Sequence, residues 1–319
     1  MAGIDVRPLS DDLPWGARIY GATRENLTDE AVRAQINAVF EDRGLIVFEE
    51  VEASGHMHLA LSDVFGPLKD HPVAAVPRAD QDTMPGVIEL LNEPSSGVIV
   101  EVDGVEQAAW LPWHFDHCYN NELNRAGVLR AVEIAPKGGR TGFADGIQIY
   151  NDFSPELRER IEALSILYTV NTCYDAMRFG RPKRFRNIRK YPTLDEIIAL
   201  SKTLPRAIHP AVWTRRTGEK VLHVSPWMSV GIEGHEDAEG DALLTAVCEE
   251  IEAKAKPYHH AWKPDQMLIW DNWRVLHSVS GIEPTARRRM HRTTIKGDYG
   301  LGRFENDSET RHAILEKTV

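Results

Sequence analysis

Cysteine is scarce in this chain and widely scattered: Cys118, Cys173 and Cys248 are the only three in 319 residues. An odd number at such spacing excludes a disulfide framework and a cysteine-built zinc site, and it fits thiols kept reduced. Long apolar runs are missing as well. No stretch approaches the roughly 20 residues that a membrane-crossing helix needs. Met1 to Trp15 lacks the basic start and apolar segment of a secretory leader. A cytoplasmic location with no membrane partner is therefore the expectation. Cations are the minority charge, 37 Lys and Arg against 48 Asp and Glu, for a formal net charge of -11. That balance opposes nonspecific attraction to phosphate backbones, so nucleic acid is not an expected partner. Internal repeats and a Pro- or Gly-rich linker are also lacking, and one domain over 1–319 is the expected organisation. With 42% hydrophobic residues the chain can bury a sizeable core.

Periodicity supplies the elements of that domain. Val32, Ile36, Val39 and Phe40 have helical spacing, which predicts a helix over Asp29 to Glu41 with Thr28 as its cap. Leu45-Ile46-Val47-Phe48 reads as a buried strand, and Ser54 to Phe65 as a second helix ending at Gly66-Pro67. Asp103-Gly104 predicts a hairpin turn inside 101–106. Gly127 to Ile134 and Gly142 to Asp145 read as strands on either side of the Pro136 to Gly139 turn. Ser154-Pro155 opens a helix, and further helices are predicted near Thr193 to Leu200 and Asp241 to Lys254. Strands follow around His209 to Thr214, Lys220 to Ser225, Gln266 to Asp271 and Met290 to Lys296. Short strands returning late, with helices early and inserted, predict a mainly β (α+β) fold whose core is a double-stranded β-helix of the cupin-like jelly-roll type, with flanking helices.

The chemistry is concentrated in Trp113-His114-Phe115-Asp116 and, far along the chain, His277. If residues 112 to 118 are extended, His114 and Asp116 share one face while Trp113 and Phe115 pack behind. Two imidazoles and one carboxylate would then cover one face of an octahedron and leave three positions open, the donor set of a non-haem Fe(II) oxygenase. Cys118 would join that face if the strand ran on, but it reads as a small buried residue. Eleven residues after His277, Arg288 opens a β-branched run in which Arg288 and Arg292 share a face. Two inward guanidinium groups predict an anionic ligand, and a solvated basic edge strand is the alternative.

These residues carry a family resemblance. The chain resembles the taurine and 2,4-dichlorophenoxyacetate dioxygenases, which are Fe(II)- and 2-oxoglutarate-dependent oxygenases, from about Ile4 to Asp298. The matching motifs include Leu45 to Phe48, Phe65-Gly66-Pro67-Leu68 with His71-Pro72, Trp113 to Asp116, Pro136 to Thr141, His209-Pro210, Trp270-Asp271-Asn272 and Met290-His291-Arg292. The resemblance implies that His114, Asp116 and His277 bind iron and that Thr141 and Arg288 hold the distal carboxylate of 2-oxoglutarate. Arg292 would meet either the substrate anion or the near end of the co-substrate. His71 would line the substrate pocket or serve the structure. The implied reaction consumes dioxygen and 2-oxoglutarate, releases succinate and carbon dioxide, and oxidises a small organic substrate. Retention of Asp116 implies hydroxylation, with desaturation or ring closure as alternatives, and related enzymes are often dimers or tetramers.

Two other readings are weaker. A zinc hydrolase would use the same ligands, but no His-Glu-x-x-His helix accompanies them, and an inactive jelly-roll binding protein would not need the full set. The pairs His56-x-His58 and His259-His260 read as surface or packing histidines. Trp110, Trp113, Tyr119, Trp227 and Met228 are candidates for an apolar cavity. Between the ligand segments, Arg178, Arg181, Lys183, Arg184, Arg186, Arg189 and Lys190 crowd a stretch with Gly180 and Pro182. It reads either as a solvated loop, the usual meaning of a bare charge run, or as a lid over about 171–192 that attracts an acidic substrate.

Overall fold

A computed structural model describes residues 3–70, 76–170, 173–190 and 194–306. Its largest sheet runs in the order Asp5–Pro8, Ala17–Tyr20, Leu45–Phe48, Met267–Asp271, Ala126–Glu133, Arg288–Ile295, Ile88–Asn92. A second sheet, in the order Tyr258–His260, Thr141–Asp145, Val275–Val279, Leu111–His114, packs against it. Phe143 and Val275 of the second sheet share a buried cluster with Leu45, Val47, Leu268, Trp270 and Met290 of the first. The two facing sheets, antiparallel except where Ala17–Tyr20 runs parallel to Leu45–Phe48, are the jelly roll that the order of elements predicts.

The apolar run Leu45 to Phe48 shows how both sides of the large sheet are filled. Leu45 and Val47 enter the core between the sheets, whereas Ile46 and Phe48 turn to the opposite face. There they meet Ile36 and Phe40 of helix Glu30–Arg43 and Met57 and Leu61 of helix Gly55–Phe65. A strand buried on both faces has to be apolar at every position, which is why no alternation is visible. Truncating a side chain such as Phe48 to alanine costs about 3–5 kcal/mol.

Local signals set the helix ends, with two corrections. Asp29 caps the first helix by accepting from Ala31 N–H at 2.8 Å; Thr28 belongs to the preceding turn, where its hydroxyl donates to the Glu25 carbonyl. The long helix starts at Ala238 because the Asp237 carboxylate accepts from Glu239 and Gly240 N–H. The Asp103-Gly104 turn forms as predicted, with both residues at positive φ, between strands Ile99–Val102 and Val105–Ala108. The basic stretch is more ordered than a loop. Phe185–Arg189 is a strand that pairs with Ile99–Val102, Arg186 lying opposite Glu101 and bonded to it. Together with the hairpin it makes a three-stranded flap. Residues 171–172 and 191–192 at the edges of the expected lid lie outside the described residues.

Three fully buried imidazoles tie these layers together. The N–H at Nε2 of His58 meets the Val128 carbonyl, that of His209 the carbonyls of Cys118 and Asn120, and that of His223 the Asn272 carbonyl. Burial lowers their pKa values, to about 3 for His58 and His223 and about 4 for His209. The unfolded chain therefore takes up protons below its ordinary histidine pKa of about 6.5 while the folded chain does not. Stability is full above that value and falls as pH drops toward 4. Each imidazole removes roughly 1.5 kcal/mol between pH 6.5 and 5, a window above most carboxylate titration. Urea unfolding followed at both pH values should show this loss, and equal midpoints would contradict it.

Candidate metal and co-substrate site

Strand Leu111–His114 ends at His114, so strand alternation does not align Asp116. His117 follows at a φ of +58°, reversing the chain. Alignment comes instead from Asn272, on the turn before strand Val275–Val279. Asp116 N–H donates to Asn272 Oδ1 at 2.7 Å, and Asn272 Nδ2 donates back to the Asp116 carbonyl at 3.0 Å and to Asn124 Oδ1 at 3.1 Å. Phe115 stacks on His223 with centroids 3.8 Å apart, and Trp113 packs on the same cluster, so both aromatic rings turn away from the ligands. Cys118 also belongs to that cluster, and burial pushes its thiol far above the usual range.

His277 lies opposite His114 in the antiparallel pairing. Their ring centroids are 4.1 Å apart, and the ligand atoms of His114, Asp116 and His277 all fall within 4.8 Å of one another. The Nδ1–H of His114 donates to the Pro112 carbonyl at 2.8 Å, which leaves the Nε2 lone pair for a metal. His277 presents Nε2 3.8 Å from Asp116 Oδ1. Burial depresses the pKa of both imidazoles, so they stay neutral and able to coordinate. Burial alone would raise the Asp116 carboxyl, but the Arg292 guanidinium holds it well below the usual carboxylate range. The donor set is thus two neutral nitrogens and one anionic oxygen, which suits a divalent first-row metal.

Arg288 and Arg292 both face inward on strand Arg288–Ile295, which lies between two neighbours and is not an edge. Arg292 Nη1 donates to both Asp116 oxygens, at 2.8 and 2.9 Å. Arg288 is 7% exposed. It has no hydrogen-bond or ion-pair partner among the described residues, and burial lowers its pKa to about 10. Its Nε passes Gly139, where an added Cβ would lie 3.4 Å away on a backbone at φ +64°. Thr141, two residues on, is buried and sits across from Val279, while Phe143 pairs with His277. His71 lies outside the described residues.

The candidate cavity residues separate. Trp110, Trp227 and Met228 join Tyr174 and Phe185 in one cluster under the flap; Trp227 meets His114 edge-on at 5.1 Å. Trp113 and Tyr119 pack elsewhere. Tyr174 and Phe185 carried no sequence signal for this role, because the pairing that brings them here joins distant segments. Several of the nearby cations are engaged locally. Arg178 reaches Asp241, Arg186 reaches Glu101, Lys190 reaches Asp175, and Arg189 donates to the carbonyls of Pro94 and Gly97. That arrangement gives no support to attraction of an acidic substrate by this stretch.

The family model described as "Taurine catabolism dioxygenase TauD, TfdA family" matches residues 5–294. The chain belongs to that family. A relative from Sphingobium herbicidovorans, an (S)-phenoxypropionate/alpha-ketoglutarate-dioxygenase, is 26% identical over 300 residues, covering 92% of this chain and 95% of its own. The alpha-ketoglutarate-dependent 2,4-dichlorophenoxyacetate dioxygenase of Cupriavidus pinatubonensis is 26% identical over 279 residues, covering 86% of this chain and 92% of its own. Among solved structures, AAD-2 in complex with Mn(II) and N-oxalylglycine superimposes with a TM-score of 0.68 at 19% identity, covering 93% of this chain and 98% of its own. A taurine dioxygenase from Burkholderia xenovorans gives 0.64 at 24% identity, covering 93% and 92%. This member of the TauD/TfdA family is a 2-oxoglutarate-dependent dioxygenase, and no helix among its described residues is long and apolar enough to cross a membrane.

Asn272→Ala deletes four buried side-chain hydrogen bonds at the Asp116 turn and strands the groups they served. The expected loss is about 2–4 kcal/mol of stability, with weaker Mn(II) binding measured by calorimetry. Unchanged metal affinity in a folded Asn272→Ala protein would show that Asp116 is aligned by other means.

Proposed function

We propose that this chain is an Fe(II)- and 2-oxoglutarate-dependent dioxygenase that hydroxylates a small, anionic organic substrate and releases succinate and carbon dioxide. The observation that carries the reading is Arg288, a buried guanidinium with no counter-anion among the described residues, on the same strand as Arg292, which contacts Asp116. A buried cation of this kind calls for an anion from outside the chain. In this reading one domain over 1–319 carries the whole reaction in the cytoplasm, as a homo-oligomer, with the flap built on 173–190 as its lid.

His114 and His277 would hold the metal through their neutral imidazoles and Asp116 through its carboxylate. Bound Fe(II) with 2-oxoglutarate would supply the activation of dioxygen. The chain's own residues do the positioning. Arg292 keeps Asp116 ionised, and Arg288 with Thr141 grips the distal carboxylate. Trp227 and Trp270, with ring centroids 5.1 Å from His114 and 4.8 Å from His277, exclude water beside the imidazoles. Arg292 is already bonded to Asp116, so its second Nη is what it offers to a substrate anion or to the near end of 2-oxoglutarate.

The aromatic cluster of Trp110, Tyr174, Phe185 and Trp227 favours a substrate with a bulky apolar body. The aryloxyalkanoate acids named for the relatives from Sphingobium and Cupriavidus have such a body. They are the first compounds to screen.

Anaerobic titration with Fe(II) and then 2-oxoglutarate, followed by visible absorption, tests the site. A charge-transfer band that needs both components is expected. Asp116→Ala should lose the band and all succinate production. Arg288→Ala should weaken 2-oxoglutarate binding about 100-fold and Thr141→Ala about 5-fold, the difference between charge-assisted and neutral hydrogen bonds. Full turnover by Asp116→Ala would refute the assignment.

A further inference from the structure

We propose that Trp262 is a positioning residue for the co-substrate, fixing which way the Thr141 hydroxyl points its proton. The proposal rests on the reading of Thr141 and Arg288 as the carboxylate cradle. The Trp262 indole lies 2.9 Å from Thr141 Oγ1. An indole N–H can only donate, so the hydroxyl must accept here. Its own proton then has no acceptor among the described residues. The Arg288 guanidinium can likewise only donate, and it too lacks an acceptor. Two buried groups with protons to give make a socket that an anion completes. Without the indole, the hydroxyl would be free to rotate, and any order it gained on binding would come at an entropic cost.

A closed ring of side chains holds the indole in place. His260 sits opposite Thr141 in the strand pairing, and its imidazole meets the Trp262 ring at 4.6 Å and 86°. Arg18 donates to the Tyr258 hydroxyl at 3.0 Å, and that hydroxyl donates to His260 Nδ1 at 3.1 Å. His260 Nε2–H donates to Gln266 Oε1 at 3.0 Å, and Gln266 Nε2 donates to Glu49 Oε2 at 3.0 Å. Glu49 closes the circuit through its ion pair with Arg18. Every proton has one direction in this ring, so the His260 tautomer and the face it shows Trp262 are determined.

The test is a double-mutant cycle on 2-oxoglutarate affinity in the Mn(II)-loaded protein, which does not turn over, read by calorimetry. Trp262→Phe keeps the ring against His260 and removes only the donor; its thermal midpoint should stay within a few degrees of the parent. It should raise the 2-oxoglutarate Kd about 5-fold, the worth of one hydrogen bond. In a Thr141→Ala background the same change should have an effect below about 2-fold, because the hydroxyl it orients is gone. A general packing defect would instead multiply the two penalties, and that result overturns the proposal. So does an unchanged Kd in Trp262→Phe when Thr141→Ala weakens binding. If neither Thr141→Ala nor Arg288→Ala weakens binding, the cradle reading itself fails, and this inference with it.

Discussion

The antiparallel register that sets His277 opposite His114 is the constraint on which the site depends. Side chains alternate across a strand, so a slip of one residue in either partner would carry an imidazole to the wrong face. The neighbouring pairing of the His277 strand is pinned by charge. Arg274 and Asp145 form a buried two-point ion pair at 2.7 and 3.0 Å, next to the Val275 and Asp145 pairing. Asn272 then carries the constraint to Asp116, which no strand supports. The third ligand is placed by hydrogen bonds to backbone and the first two by pairing. The precision of the set comes from two different kinds of contact.

Much of this was legible in the sequence where the signal is local. His114, Asp116 and His277 are named by residue type and spacing, and Leu45 to Phe48 declares a buried strand through its unbroken apolar run. Capping carboxylates are harder to read. Thr28 and Asp29 are both able caps, and the backbone decides between them. The role of Asn272 was hidden because an asparagine beside an aspartate looks like any turn until Asp116 is placed next to it. Pairings between distant segments leave the weakest trace. Nothing in Phe185 to Arg189 announces a strand, since three of its five residues are arginine or asparagine and its partner lies over eighty residues earlier.

The flap shows how a dense run of cations can be answered from within the chain. Seven cations in a short stretch invite a reading as a receptor for acid, yet the carboxylates and carbonyls that answer several of them belong to this chain. Glu101 and Asp175 take part in neutralising a structure that Tyr174 and Phe185 hold down from below. Such exposed ion pairs add little stability individually, but they orient the edge strand, while the apolar contacts beneath supply most of the attachment.

Arg292 has a further consequence for assembly. Its guanidinium lies against both oxygens of Asp116, so a newly folded chain does not bury a bare carboxylate while it waits for a metal. The positive charge that the site needs for its own stability is built into the polypeptide. In the proposed metal site, loading would exchange a partner of the Asp116 carboxylate rather than rescue an unpaired charge.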